Sequence, residues 1–299
     1  MPTSGRAFFK MSGSGNDFVF VDAREEPAGV LETEPAIREV CARGTGVGAD
    51  GIVFLERTPA ATVGIRYFNA DGSVASLCGN ATLCATRLAV ELGAAAPAGF
   101  TIETGSGVVG ARIAGSGQAE IDLQPVEEVR EEAGIETIGG ERRVGFALVG
   151  VPHLVVLVDD VDRVDVVGRG GPLRRHPSLR QGANVNFVSR DPAVAGSFRV
   201  RTYERGVEGE TLACGSGAVA SAILLTIWGE ATGRVELLTR SGRTLTVRLR
   251  RTAASWEASL SGEGRIVFTG RLGELGALDR DANVESGALD RAASSVRSR

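Results

Sequence analysis

Two cysteines occupy matching places. Cys78 opens Cys78-Gly79-Asn80-Ala81, and Cys214 opens Cys214-Gly215-Ser216-Gly217. Each leads into a small-residue, apolar stretch that reads as a buried helix, residues 83–92 and 218–228, and each follows a tyrosine by eleven residues, Tyr67 and Tyr203. A helix start favours a thiolate, because unpaired N–H groups and the positive dipole end stabilise negative charge, so lowered thiol pKa values are the expectation. Gly79, Gly215 and Gly217 carry no side chain to block an anion from those N–H groups. Two such thiols on opposite faces of one carbon could invert a stereocentre, one removing a proton and the other delivering one. The obstacle is large. An amino-acid α-proton is on the order of 20 pKa units less acidic than a thiol, or ~27 kcal/mol. A dry site, aimed dipoles and donors on the carboxylate must offset most of that gap. Polar groups of the right type are Asn16, Asn69, Asn80, Asn184, Asn186 and Arg205, with His153 and Glu204 as candidates to tune the thiols.

The elements that must hold these residues are mostly strands. Short β-branched or alternating runs bounded by Gly, Asp or Pro turns predict strands at 18–21, 51–55, 64–68, 108–113, 119–123, 144–149, 154–158, 185–188, 198–203, 235–239, 244–249, 256–260 and 265–268. Helical patterns are fewer: 34–43, the two post-cysteine segments and a short piece at 172–176. The repeat extends past the cysteines. Each helix is followed by a Thr-containing turn, with Thr104 and Thr239 at nearly the same distance from their cysteines, and then by two strands. The reading is an α/β (α+β) chain of two similar halves joined near 125–137, a Glu/Arg-rich stretch without a clear period. The segment from about residue 274 onward is Ala/Ser/Asp/Arg-rich and reads as a loose tail.

Bulk properties narrow the partners. A chain of 299 residues, 43% hydrophobic and 23% charged, suits a globular protein with room for two cores. A net charge of −4 and no Lys/Arg block argue against nucleic acid or an anionic membrane. The first ten residues lack the apolar core of a signal peptide, and the greasiest run, 218–228, is too short to span a bilayer. The four cysteines therefore read as reduced thiols in a cytoplasmic protein. Cys41 and Cys84 read as small buried hydrophobes. No Cys-x2-Cys spacing and only two histidines, His153 and His176, give no expectation of a metal. Gly46-Val-Gly-Ala-Asp-Gly51 fits a dinucleotide fingerprint in letters, but it precedes a strand-like run instead of opening a helix.

Seven motifs in order resemble the diaminopimelate epimerase family over nearly the whole length. They are Met11-Ser-Gly-Ser-Gly-Asn-Asp-Phe, Gly46-Val-Gly-Ala-Asp-Gly, Phe68-Asn-Ala-Asp-Gly-Ser, Leu77-Cys-Gly-Asn, Pro152-His153, Gly182-Ala-Asn-Val-Asn-Phe, and Tyr203-Glu-Arg-Gly running on to Gly209-Glu-Thr-Leu-Ala-Cys-Gly-Ser-Gly. The resemblance implies two pseudo-symmetric halves, each a mostly antiparallel sheet or barrel around a central helix, with the site in the cleft between them. It implies halves at 1–124 and 125–265, with about 266–299 returning to the first. The implied activity interconverts LL- and meso-diaminopimelate without pyridoxal phosphate or metal, towards lysine and peptidoglycan. Carried across by motif, Cys78 and Cys214 match the acid/base pair, with His153 and Glu204 beside them. Gly79, Asn80, Gly215 and Ser216 match the group holding the reacting carboxylate. Asn69, Asn184 and Arg205 match the readers of the distal amino-acid end, and Asn16 matches an N-terminal contact. The substrate is a small molecule, and a homodimer is compatible with the resemblance.

Three positions depart from the family pattern. Val151 stands where the family often has Asn, which removes one hydrogen bond to the distal end. Ala81-Thr82-Leu83-Cys84 replaces Gly-x-Arg-Cys, and Glu208 lengthens the Glu-Arg-Gly loop by one residue. Proline racemase relatives resemble Cys-Gly-His at the first thiol, unlike Cys78-Gly79-Asn80. Two alternatives stay open: an epimerase of the same family acting on another amino acid, and a thiol-redox or binding protein with a Cys78–Cys214 switch.

Overall fold

The structure is a computed structural model that describes residues 5–75 and 78–276. The first half contains β1 (Ala7–Gly13), β2 (Asn16–Asp22), α1 (Glu34–Cys41), β3 (Gly51–Glu56), β4 (Val63–Asn69), β5 (Val74–Ala75), α2 (Gly79–Glu91), β6 (Phe100–Thr104), β7 (Gly107–Ile113) and β8 (Ala119–Asp122). The second contains β9 (Val129–Arg130), β10 (Glu141–Val149), β11 (Val151–Val158), α3 (Val166–Arg174), β12 (Asn184–Arg190), β13 (Phe198–Glu204), β14 (Gly209–Thr211), α4 (Gly215–Ile227), β15 (Arg234–Leu238), β16 (Thr244–Arg251), β17 (Trp256–Gly262) and β18 (Arg265–Arg271).

Followed through its hydrogen bonds, the sheet is one ladder. It runs β18-β1-β2-β3-β4-β6-β7-β8 and continues β17-β16-β15-β13-β12-β11-β10-β9, with β5 added to β4 and β14 to β13. The antiparallel β8–β17 pair is the seam, and the order reads the same outward in both directions. Each half has two parallel pairs, β2–β3 and β4–β6 in the first and β11–β12 and β13–β15 in the second. Parallel neighbours need a crossover, and α1, α2, α3 and α4 supply them. The two ends of the ladder do not pair among the described residues, so the sheet is wrapped but open.

By ladder position β9, placed with the second half by its pairing, ends the first repeat and β18 ends the second; each pairs across to the other repeat. β9 follows β8 in the chain but pairs with β10, and β18 follows β17 but pairs with β1. The joining stretch at 125–137 is therefore a crossover that contributes a strand. Residues 277–299, including most of the expected tail, lie outside the described residues.

Burial explains which helix goes where. α4 is buried nearly all round, from Gly215 through Leu225, and α2 buries Asn80–Thr86, Leu88 and Ala89. Helices apolar on most faces belong in an interior. They share one core, in which Leu83, Leu88, Leu224 and Leu225 are each fully buried, worth roughly 1.5–3 kcal/mol apiece. α1 and α3 have one apolar face each and cover the outer side of the sheet, over Phe54 and Phe68 in one half and Phe187 and Tyr203 in the other. The central helices begin four residues before the first expected leucine and three before the expected alanine, at Gly79 and Gly215, because glycine reads as a breaker although it sits here in the first turn. α3 likewise starts earlier than expected, since the Asp165 carboxylate accepts from Gly168 N–H and caps it.

Candidate active site

Both cysteines sit immediately before their helices, at the N-cap, in closely similar backbone conformations (φ −133°, ψ 113° and φ −135°, ψ 111°). The two helix starts meet through glycine. A Cβ placed on Gly215 would lie 3.5 Å from Gly79 Cα, and one on Gly79 would lie 3.7 Å from Gly215 Cα, with a Leu260 methyl crowding both. This close approach brings the two caps to one cavity of about 270 Å³. Eleven of the twelve residues expected at the site line it: Asn16, Asn69, Cys78, Gly79, Asn80, Asn184, Glu204, Arg205, Cys214, Gly215 and Ser216. An outer cleft adjoins it and shares Asn16, Tyr67, Asn69, Cys78, Glu204 and Arg205.

The twelfth, His153, lies behind the wall, fully buried. Its contacts fix its chemistry. Asn186 must give its Nδ2 to the Leu154 carbonyl, 2.9 Å away, because a carbonyl only accepts. The same amide nitrogen meets His153 Nδ1 at 3.2 Å, so Nδ1 accepts and the ring proton is on Nε2. Nε2 then donates to Ser216 Oγ at 3.0 Å, which leaves the hydroxyl proton to face Cys214 Sγ at 3.6 Å. Thr202 Oγ1, 3.0 Å from Asn186 Oδ1, holds the far end. The result is a one-way chain of donors ending on sulfur. Asn186 is the member without a site role in the sequence reading, although its place two residues after Asn184 on a strand puts both on one face.

Gly217 has a different reason from the one expected. A Cβ there would come 2.1 Å from Asn186 Oδ1, so the glycine makes room for the donor chain rather than for an anion. The matched tyrosines also part company. Thr104 and Thr239 do equivalent work, each closing its turn with a hydroxyl to a carbonyl. Counting back from them through the β4–β6 and β13–β15 registers puts Tyr67 level with Thr202, one short of Tyr203. One residue turns a side chain to the other face of a sheet. Tyr67 accordingly lines the cavity, while Tyr203 is buried under α3.

Burial, not the helix start, dominates both thiols. It pushes Cys78 up to about 11 against the N–H groups of Ala81 and Asn80, with charge on Glu204 adding to the rise. It pushes Cys214 up as well, reinforced by Glu204 and opposed by Gly217 N–H and the Ser216 hydroxyl. The expected lowering is therefore absent, because desolvation outweighs two or three hydrogen bonds. Burial raises Glu204 too, with the Thr211 hydroxyl opposing. It lowers His153 to about 3, helped by the charge on Arg205, so the imidazole is neutral.

Arg205 and Asn184, also on the cavity wall, form one unit. Asn184 Oδ1 accepts from Arg205 N–H at 2.7 Å, and the guanidinium gives one bond to Gln181 O. Asn69 is held by Ser73 Oγ at 2.9 Å. Such an arrangement can hold a carboxylate at the helix starts, read a second polar end several ångströms away, and work on a carbon between two sulfurs.

The family model described as "Diaminopimelate epimerase" matches residues 8–129 and 145–286. The chain belongs to the diaminopimelate epimerase family. A diaminopimelate epimerase of Gemmatimonas aurantiaca is 46% identical over 280 residues, covering 90% of this chain and all of that protein. One of Aquifex aeolicus is 41% identical, covering 89% and 98%. With that family comes the isomerase class of enzyme. Solved structures with the same fold include a PhzF-family phenazine biosynthesis protein of Bacillus anthracis (TM-score 0.66, 17% identity, 89% and 98% covered). A hydroxyproline epimerase of Agrobacterium vitis with bound trans-4-hydroxy-L-proline is another (TM-score 0.62, 18% identity, 91% and 94% covered).

The departures from the diaminopimelate epimerase pattern fall at separate places. Val151 lines the cavity beside Val149 and Gly150. Ala81 and Thr82 are buried in the first turn of α2. Glu208, with φ of +55°, accepts from Arg174 at 2.9 Å, Arg175 at 2.6 Å and the Tyr203 hydroxyl at 3.3 Å. The extra residue thus ties the Arg205 loop to the end of α3.

Proposed function

We propose that this chain interconverts LL- and meso-diaminopimelate by moving a proton between Cys78 and Cys214 on opposite faces of one carbon, without a cofactor. The observation that carries the reading is the pair of cysteine-capped helix starts, joined glycine to glycine at one cavity. The diaminopimelate epimerase activity named for relatives that align over about nine-tenths of the chain supports the choice of substrate.

The carboxylate next to the reacting carbon lies against the N–H groups at the starts of α2 and α4, where two helix dipoles favour it. One sulfur, as thiolate, takes the α-proton: an S–H bond forms and the C–H bond breaks, leaving the electron pair on carbon beside the held carboxylate. The opposite thiol gives its proton to the other face: its S–H bond breaks, a C–H bond forms, and the thiolate has changed sides. No charge enters or leaves. Burial raises both sulfurs and Glu204, and charge on Glu204 opposes ionisation of either sulfur. His153 is a neutral donor that positions Ser216 toward Cys214 and does not touch the substrate.

Arg205, Asn184 and Asn69 read the distal amino acid end. Val151 offers no hydrogen bond there, which favours as the second reading a related amino acid with a less polar distal end. The test incubates the enzyme with LL-diaminopimelate, glutamate, lysine and histidine and separates the stereoisomers. Turnover of diaminopimelate at least about a hundredfold above the others supports the first reading, since a site built for polar groups rejects analogues lacking them. Comparable turnover of lysine would replace it with the second.

A further inference from the structure

The Gly46–Gly51 motif has no role in the donor chain behind Cys214, yet one of its residues heads a chain behind the other helix start. We infer that Asp50 is a positioning residue that fixes the polarity of the cleft floor through Asn16 and Asn80, turning an acceptor toward the substrate ammonium; this rests on the proposed epimerase reading. A carboxylate can only accept. Asp50 Oδ2 lies 3.0 Å from the Asn16 side-chain amide and 3.2 Å from Asp17 N–H, so Asn16 must present its Nδ2 to it. Asn16 Oδ1 is then turned to Asn80, which must donate Nδ2, at 2.7 Å. That leaves Asn80 Oδ1 as the free end of the chain. It is buried without a partner, and it stands 3.5 Å from where a Cβ of Gly215 would be, between the two helix starts.

An unpartnered buried acceptor is costly unless something fills it. The groups around it are helix-start N–H donors, which suit the carboxylate of an amino acid. A lone acceptor among them suits the ammonium on the same carbon. Asp50 is itself held in place: Arg43 donates to its Oδ1 at 2.7 Å and also to Asp17 at 2.6 Å, while Lys10 ties Asp17 from the buried side at 2.6 Å. The carboxylate is therefore held in one direction. With an amide at position 50, both ends of each Asn could exchange, and a donor would face the ammonium half of the time.

The experiment is a double-mutant cycle on kcat/KM with diaminopimelate. Asp50→Asn is expected to lower kcat/KM by about tenfold or more, mainly through KM, the range of a hydrogen bond to a charged group. In an Asn80→Ala background, where Cys78, Asn16 and the helix N–H groups remain, the same change should cost at least about threefold less, because the route through Asn80 is gone. An equal cost in both backgrounds, or no cost in the unmodified protein, overturns the inference. Should Asp50→Asn not fold, Asp50→Glu, which moves the carboxylate by one methylene, runs the same cycle. Cys78→Ala separates the two claims: if it is active, the epimerase reading itself fails, whereas an inactive Cys78→Ala with equal costs in the cycle removes only Asp50.

Discussion

At the start of α4, the residue two after the cysteine is Ser216, whose hydroxyl is backed by His153 and Asn186 and faces Cys214. At the start of α2, the residue two after the cysteine is Asn80, whose amide is backed by Asn16 and Asp50 and leaves its Oδ1 buried without a partner between the two helix starts. The two cap residues share nearly the same φ and ψ, and the supporting side chains have opposite polarity. One chain delivers a proton donor to a sulfur; the other ends on an acceptor, which we propose serves the substrate ammonium. In the proposed reaction, duplication of a half-sheet around a helix accounts for what is used twice, a thiol and a set of N–H groups, and unequal side chains account for what is used once, an oriented amino acid.

The comparison is broken most severely by removing either sulfur. Cys78→Ala and Cys214→Ala should each lower kcat by about a thousandfold or more, the scale of losing a general acid or base, while the melting temperature holds. A single variant with ordinary turnover would mean the two starts are not used alike. Next in size is Gly217→Ala, which drives a Cβ into Asn186. Displacing the donor chain at a reacting group should cost about a hundredfold in kcat, with KM little changed. Asn186→Ala, which leaves His153 free to turn, should cost about tenfold in kcat, as loss of one positioning hydrogen bond does. These effects on kcat contrast with the KM effect of Asp50→Asn, and that contrast sharpens the difference between the two chains.

The smallest effect is on pH dependence. His153 in the folded protein takes a proton only near pH 3, against about 6.5 when unfolded. Between those values the unfolded chain binds more protons, so stability is full above about pH 6.5 and falls as pH drops toward 3. Melting temperatures of His153→Gln across that window should fall less steeply than those of the unmodified protein. An identical slope would show that the imidazole is not buried neutral.

Much of this was legible in the residues because glycine, cysteine and turn residues mark helix starts and strand ends in sequence. The strand over 7–13 was not, since Lys10 interrupts its apolar pattern; its charge is buried against Asp17 and the Gly48 carbonyl, a tertiary arrangement that no local rule contains. The exchange of β9 and β18 between halves was also hidden from the residues alone, being a matter of pairing across long separations. The expected site residues on the cavity wall followed from motifs; Asn186 was named only as one of several polar groups, and its place behind Cys214, like that of Asp50 behind Asn16, emerges when hydrogen-bond directions are traced. The tyrosine match shows the opposite failure: an equal spacing to cysteine concealed a one-residue offset in the sheet, and with it a change of face.

The central claim is that two sulfurs, one on each face, carry the proton. Its most direct test follows LL-diaminopimelate in deuterium oxide at low conversion. A thiol keeps the proton it has just taken until product leaves, and the opposite thiol supplies solvent deuterium. The meso product should therefore carry one deuterium at the inverted carbon while recovered substrate carries almost none. Deuterium appearing equally in recovered substrate and product, or a product that retains the original proton, would contradict the two-sulfur account.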